Sequence, residues 1–473
     1  MPVFRLLYTT LTVGMNDDRH VSGSFCVLML TKSYNFDKKR DMKRKTLLVI
    51  AIFAWAISAS AQMDNLANLS AKWIRTNVRN ASLDGGADMV NFNPAGLAML
   101  DDGIYISLSN QSLFRHPQHT FDFGTVSTSN EQDGMDPFLP MAYAAWKNNN
   151  MAVSSGMYIS GGGASAYYPN GSFNTNLMGN MFLPSMAESN GYSSFKDQSL
   201  DASSYYLTVP LNFSYAINDK LAVSAGGRYV RGINKTKAGM TFTGSLFAPD
   251  YEMTIDYKSN ANGFGGVFGI DYKLADKVNV AVHYETKVKL EFEATDNNGT
   301  YKLEADGTKS RRDLPAVINT GLTYDITPRL IAGVDYNYYF QKNADWGEIQ
   351  DPTTGEYVKA SEAAGNCYTA NMGFRYLLNE KLELSAGCTY TAFMYDNMEL
   401  YYTKMGLYEA LKYDNFNVSI GAGYYITKNI QVDLGIGRTF WKDKTIKSLN
   451  AGIPVEVNDS GYVVAIGFDF RLL

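Results

Sequence analysis

Two histidines stand three residues apart in His116-Pro117-Gln118-His119, a spacing that can hold a divalent metal. Two imidazoles do not complete a coordination sphere, so no metal is expected there. Gly263, Gly265, Gly266 and Gly269 are spaced like a phosphate-cradling loop, but they sit in a strand pattern that no helix follows. Arg228, Asp271, His283, Glu285, Asp335, Arg375 and Glu383 could in principle do acid–base work. All fall on the polar side of alternating segments, and no Gly-x-Ser-x-Gly elbow supplies a nucleophile, so neither a catalytic residue nor a cofactor is expected and the chain reads as no enzyme.

The remaining chemistry is apolar. The stretch 161–202 carries Tyr167, Tyr168, Phe173, Leu177, Met178, Met181 and Phe182. Apolar side chains in an exposed loop are costly unless they pack or bind something, and Met with aromatics makes an adaptable surface for alkyl chains or rings. Capture of a hydrophobic small molecule is the functional expectation, and packing of loop on loop is the structural one. Just before it, Gly161, Gly162 and Gly163 give a strand no side chains and permit a bulge or kink.

What positions these residues is a β architecture. The chain holds 33 Tyr, 25 Phe and 41 Gly against 13 Pro, with 19% charged residues, a strand-forming composition. Lys43, Arg44 and Lys45, the apolar run from Leu47 to Ile57, and Ala59-Ser60-Ala61 form a signal peptide over 42–61. Residues 1–41 read as a mis-assigned upstream extension, and the mature chain is expected to begin at Gln62. Taking away the nine Lys+Arg and four Asp+Glu before residue 62 leaves 33 against 43, a formal charge of −10 that disfavours nucleic acid. Cys367 and Cys388 are expected to stay unlinked, with Cys367 facing inward, Cys388 outward, and Cys388 opposite a position near Asn371.

After residue 100 apolar and polar residues alternate with period two, as in Phe416, Val418, Ile420, Ala422 and Tyr424 against Asn417, Ser419, Gly421 and Gly423. Fourteen strands are expected, over 102–109, 137–147, 150–160, 203–217, 219–233, 262–274, 277–294, 312–326, 328–342, 366–378, 380–395, 414–427, 428–442 and 460–473. Tight polar turns and long loops alternate strictly between them. Sorting of this kind belongs to a barrel inserted from the periplasm, and closure leaves no free edge. The expectation is an all-β, 14-stranded antiparallel transmembrane barrel over 101–473, monomeric, in an outer membrane of protein, lipid and lipopolysaccharide. Residues 62–100 lack the alternation and form an N-terminal segment that could plug the lumen.

Within that segment, Asn93-Pro94-Ala95-Gly96-Leu97-Ala98 follows Gly-Ala-Asp and directly precedes the first strand. Pro94 fixes its own φ and pushes Asn93 to extended backbone, and Gly96 offers freedom where the chain turns into the wall. The run resembles the hatch motif of the FadL/TodX family. That resemblance implies a fourteen-stranded barrel with a lumenal hatch carrying Asn93, Pro94, Ala95 and Gly96. It also implies a third strand kinked inward at Gly161–Gly163, opening the wall sideways, and passive uptake of hydrophobic compounds such as long-chain fatty acids. Relatives with this barrel imply an alternative, a scaffold or shuttle in a protein secretion machinery. Replacing the three glycines by valine is expected to close the opening and leave stability unchanged or higher.

Overall fold

The computed structural model describes residues 70–472 except 125, 126 and 163; the signal peptide, the upstream extension, the start at Gln62 and Gly163 lie outside the described residues. Among the described residues, fourteen wall strands follow one another. They are β1 (Gly103–Arg115), β2 (Met135–Asn148), β3 (Met151–Ile159, resumed as Ala164–Tyr168), β4 (Ser194–Asn218), β5 (Leu221–Thr243), β6 (Tyr251–Ala275) and β7 (Val278–Glu285, resumed as Glu291–Asn297). The second half comprises β8 (Val317–Thr327), β9 (Leu330–Tyr339), β10 (Asn366–Leu377), β11 (Leu382–Met394), β12 (Asn415–Thr427), β13 (Ile430–Trp441) and β14 (Ser460–Leu472). Each pairs antiparallel with its neighbour, and β14 pairs with β1 from Ile104↔Leu472 to Arg115↔Gly461, which closes the barrel.

The outward residues make an apolar belt that carries two aromatic rows. Trp146, Tyr215, Tyr272, Tyr324, Tyr376 and Tyr424 mark the short-turn side, and Phe264, Tyr284, Tyr336, Tyr390, Phe416 and Tyr462 the long-loop side. Amphipathic rings settle at the two membrane interfaces. On β10 the rows are Tyr368 and Tyr376, eight residues apart. That is about 27 Å along the strand and about 20 Å across a bilayer at a tilt of about 40°.

β4, β5 and β6 reach about ten residues further than the alternation indicates. On β5 the outward residues change from Val223, Tyr229 and Ile233 to Lys235 and Lys237, while the inward ones change to Ala238, Met240 and Phe242. Once the strands leave the lipid, water replaces it outside and packed loops replace the lumen inside, so the polarity of the two faces inverts. β1 likewise runs on to Arg115.

Inside the extension lies α3 (Phe173–Asn190), where the sequence reading placed a loop. Ser172 and Thr175 form its capping box and Gly191 ends it in the left-handed region at φ 75°. With α4 (Ala360–Ala364), α5 (Met398–Met405) and a four-stranded sheet of loop segments, it builds an apolar cap over the outer mouth around Phe121, Phe173, Trp346, Tyr402 and Val455. The lumen is filled by residues 70–100: α1 (Ala71–Thr76), a descent to Ala87, α2 (Met89–Phe92) and a 3-10 turn over Pro94–Met99.

Cys388 faces outward opposite Met372, one residue from the expected partner, and Cys367 points inward; neither is disulfide-linked.

Candidate functional site: hatch, cavity and wall interruption

Four inward glycines seat α1. A Cβ on Gly373 or Gly387 would lie 1.9 or 2.1 Å from the Thr76 carbonyl oxygen, and one on Gly421 2.3 Å from the Arg75 Cβ. At Gly435 it would come within 2.8 Å of Ile74. β10 to β13 therefore form a shallow cradle that admits backbone directly onto the wall.

Charge then fixes the helix. Arg75 forms an ion pair with Asp433 at 2.8 Å and hydrogen-bonds Asp84 at 2.7 Å, Ser385 at 2.6 Å and Glu383 closely, and Arg375 holds the other oxygen of Glu383 at 2.5 Å. Lys72 lies 3.6 Å from Asp469, and Arg79 pairs with Asp84 and Asp88. Burial pushes the Asp84 carboxyl up, but Lys72, Arg75 and Arg79 outweigh it and hold the group below the usual carboxylate range. The Asp335 carboxylate accepts the Arg79 and Asn80 backbone N–H groups at 2.7 and 3.0 Å. The lumenal acids singled out in the sequence are thus spent on the hatch and on neighbouring wall cations, including Arg228 with Glu285.

The motif seats the other end of the hatch. Asn93 is extended at φ −159°, its side-chain oxygen caps the 3-10 turn at Ala95, and its amide donates to Ile270 O at 3.1 Å and Asp271 at 3.3 Å. The Pro94 carbonyl accepts from Ser214 at 2.8 Å. At Gly96 a Cβ would meet the Met89 methyl at 2.0 Å, the end of a flexible side chain that would have to move aside.

Above the hatch lies a cavity of about 190 Å³. One side, from β14, β1, β3 and the hatch, is mainly apolar, presenting Val463, Leu113, Tyr158, Trp73 and Ile74, with Gln111 and Arg115 on the same strand as Leu113. The other, from β9 to β13, presents Asn337, Thr369, Thr389, Thr391, Asn417 and Thr439. Ser160 and Gly161 of β3 close the ring.

Beside those residues the wall changes. Pairing of β2 with β3 runs from Asn148↔Met151 to Ala142↔Met157 and stops. Further up β2 come Pro140 and Pro137, which have no N–H to give a neighbour and so suit an unpaired edge. β3 keeps its grip on β4 instead: Ser160 N donates to Tyr206 O and Tyr206 N to Gly161 O, at 2.9 and 3.0 Å. Between Ile159↔Leu207 and Ala164↔Ser204, β3 carries two extra residues, a bulge that bends it away from β2. The strands rejoin above, where Asp136 accepts from Ser165 N at 3.1 Å and Tyr205 OH at 3.2 Å, and Asp133 N donates to Tyr167 O at 2.8 Å. The interruption therefore lies between β2 and β3, with Leu139 and Ile159 beside the cavity's apolar side.

One sequence expectation changes here, and one group of residues is placed. Gly162 adopts φ +108°, and a Cβ would fall 2.2 Å from the Ser204 carbonyl oxygen, so valine there costs stability. Among the residues singled out for ligand capture, Tyr168, Phe173, Leu177 and Met178 are buried in the packed cap, Met181 and Phe182 are half-buried, and Tyr167 is exposed. Together they make cap interior and rim rather than one open groove.

His119 also finds a use. Its Nε2 accepts the Phe173 backbone N–H at 2.8 Å at the start of α3, and burial lowers its pKa to about 3, keeping the ring neutral. Among the described residues no group of three or more His, Cys, Asp or Glu is placed to hold a metal. The prolines of β2 and the Ser172…Gly191 bracket were signals present in the sequence and not used.

A closed fourteen-strand barrel with an apolar belt, aromatic borders and a hatch-filled lumen is an outer-membrane barrel of the transport type. The chain belongs to the outer membrane protein transport protein family (OMPP1/FadL/TodX), whose model matches residues 50–472. Among solved structures it is similar to a Pseudomonas aeruginosa FadL homologue, at TM-score 0.64 and 14% identity, covering 87% of this chain and 99% of that one. It is also similar to the Ralstonia pickettii toluene transporter TbuX (TM-score 0.57, 18% identity, 86% and 100% covered). The P. putida toluene transporter TodX matches at TM-score 0.57 and 16% identity, with 82% and 94% covered. No curated protein matches in sequence.

Proposed function

We propose that the protein carries hydrophobic compounds passively across the outer membrane, from the cap through the cavity and sideways between β2 and β3. The observation that carries this reading is that the cavity's apolar side ends at Tyr158, Ser160 and Gly161, where β3 parts from β2. An apolar solute leaving there enters lipid without crossing the charged hatch layer. The fixed hatch argues for the same route, because Arg75, Arg79 and Asn93 tie it to opposite sides of the wall. Half-buried Met181 and Phe182, with exposed Tyr167, supply the outer contact, and Trp73, Ile74, Asn91 and Phe92 of the hatch, held in place by the adjoining motif Asn93–Gly96, form the cavity floor. The barrel works as a monomer among lipid and lipopolysaccharide, and no energy source or cofactor enters the scheme.

The test is uptake of a radiolabelled hydrophobic probe in a deletion strain complemented with native protein or Leu139→Trp. An indole at position 139 fills the inner mouth of the interruption, and uptake is expected to fall about tenfold, an effect of about 1.4 kcal/mol, while heat-modifiable migration shows a folded barrel. Undiminished uptake in the folded variant sinks the lateral route. No uptake by native protein, with a cargo protein retained in the deletion strain, favours the secretion-scaffold role.

A further inference from the structure

Resting on that reading, we infer that the cargo is an uncharged amphiphile: an apolar body carrying a row of neutral oxygen acceptors, such as a glycerol monoester, rather than a free carboxylate or a bare hydrocarbon. The evidence is the sidedness of the cavity. Its apolar side faces a wall, from β9 to β13, whose polar groups there are hydroxyls and amides with no ionisable acid or base among them.

The hydrogen bonds on that wall have a direction. Asn337 Nδ2 donates to Thr369 Oγ1 at 2.9 Å, Asn77 Nδ2 to Thr389 Oγ1 at 3.0 Å, and Asn417 Nδ2 to Thr439 Oγ1 at 3.0 Å. Each threonine oxygen accepts there and donates to no other described group, so its own proton is left to give. Three such hydroxyls on β10, β11 and β13 offer donors to a ligand edge. A pure hydrocarbon would leave them unanswered, which costs affinity.

A carboxylate could accept the same donors, but its charge has no counterpart. The lining cations Arg115 and Arg228 are held by Asp459 and Glu285. Beneath the cavity, Lys72, Arg75, Arg79 and Arg375 meet Asp84, Asp88, Glu383, Asp433 and Asp469, one more carboxylate than cations. An anion would bring further negative charge to this layer, and ester or hydroxyl oxygens avoid that cost.

The probes are 1-monooctanoylglycerol, octanoate and octane, added to the full barrel in amphipol at pH 8. Binding is read from the fluorescence of Trp73 and Trp441, the tryptophans on the cavity. The glycerol ester is expected to bind about tenfold or more tighter than either comparator. Combined Thr369→Val, Thr389→Val and Thr439→Val should remove that preference and leave octane within about twofold, with single Thr389→Val as a milder variant should the triple one fail to fold. Octanoate binding as tightly as the ester, or a valine variant that keeps the ranking, overturns the inference alone. If none of the three binds native protein, the hydrophobic-cargo reading falls with it.

Discussion

Gly162 shows how much one position can ask of its residue. Its positive φ and its contact with the Ser204 carbonyl leave no room for a side chain, whereas Gly161 faces movable side chains of Tyr206 and Leu314. Gly162→Val is therefore expected to lower barrel stability by about 1–3 kcal/mol, read as a shift in the urea midpoint of folded migration. A variant as stable as the native protein would mean that the bulge relaxes freely. The glycine run was visible in the sequence and its bend was foreseeable. Which glycine is indispensable was not, because the deciding atom belongs to a strand about forty residues later. Gly96 is the milder case: its place in the motif was legible, and its nearest neighbour in the fold is the movable Met89 methyl.

Among the elements, α3 depends most visibly on protonation. Its first turn is held by Ser172, by neutral His119 and by Glu409, which accepts from Asn174 N at 2.9 Å. His119 is depressed to about 3, so its contribution is complete above its unfolded value of about 6.5 and is lost as pH falls towards 3. Burial raises Glu409 to about 7, so its contribution is complete below about 4.5 and is lost as pH rises through 7. Protection against hydrogen exchange across residues 173–178, taken relative to the unstructured rate at each pH, should be greatest at mildly acidic pH and fall on both sides. His119→Gln should remove the acid-side fall while keeping the alkaline one; an acid limb that persists would assign it to other groups. The helix escaped the sequence reading because Gly179 and Pro184 lie inside it and its apolar residues, packed on several sides, leave no single stripe. The wall strands were legible because lipid outside and a polar lumen inside impose strict alternation. β4 to β6 were cut short where that contrast inverts.

At the scale of the molecule, the hatch is bound to the barrel largely through charge. Arg75 is wholly buried between Asp84, Glu383 and Asp433. Arg75→Met would strand those carboxylates and is expected to cost about 3–5 kcal/mol of hatch attachment, less when Glu383→Gln is added. Proteolysis in the 70–100 segment and raised single-channel conductance would report it, and a protease-resistant, silent variant would move the anchor elsewhere. Strand number and closure were legible in the loop rhythm. The ionic anchor was not, since Arg75 and its wall partners Glu383 and Asp433 lie more than three hundred residues apart.

The two aromatic rows have a consequence for where the protein can live. The rows are about 20 Å apart, and with the apolar residues one step beyond the short-turn row, among them Ile217, Leu274, Ile326, Leu378 and Ile426, the belt reaches about 26 Å. That is still shorter than the roughly 30 Å hydrocarbon core of an average bilayer, a mismatch that must be met by thinning the lipid around the barrel. The refolded protein should therefore insert readily into vesicles of ten- to twelve-carbon phosphatidylcholines, and progressively more slowly as the acyl chains lengthen to sixteen. Insertion rates indifferent to chain length would mean that the rings do not mark the lipid boundary. If the dependence holds, the spacing of Tyr368 and Tyr376 acts as a thickness gauge that suits the barrel to the thin outer membrane and penalises its residence in any thicker one.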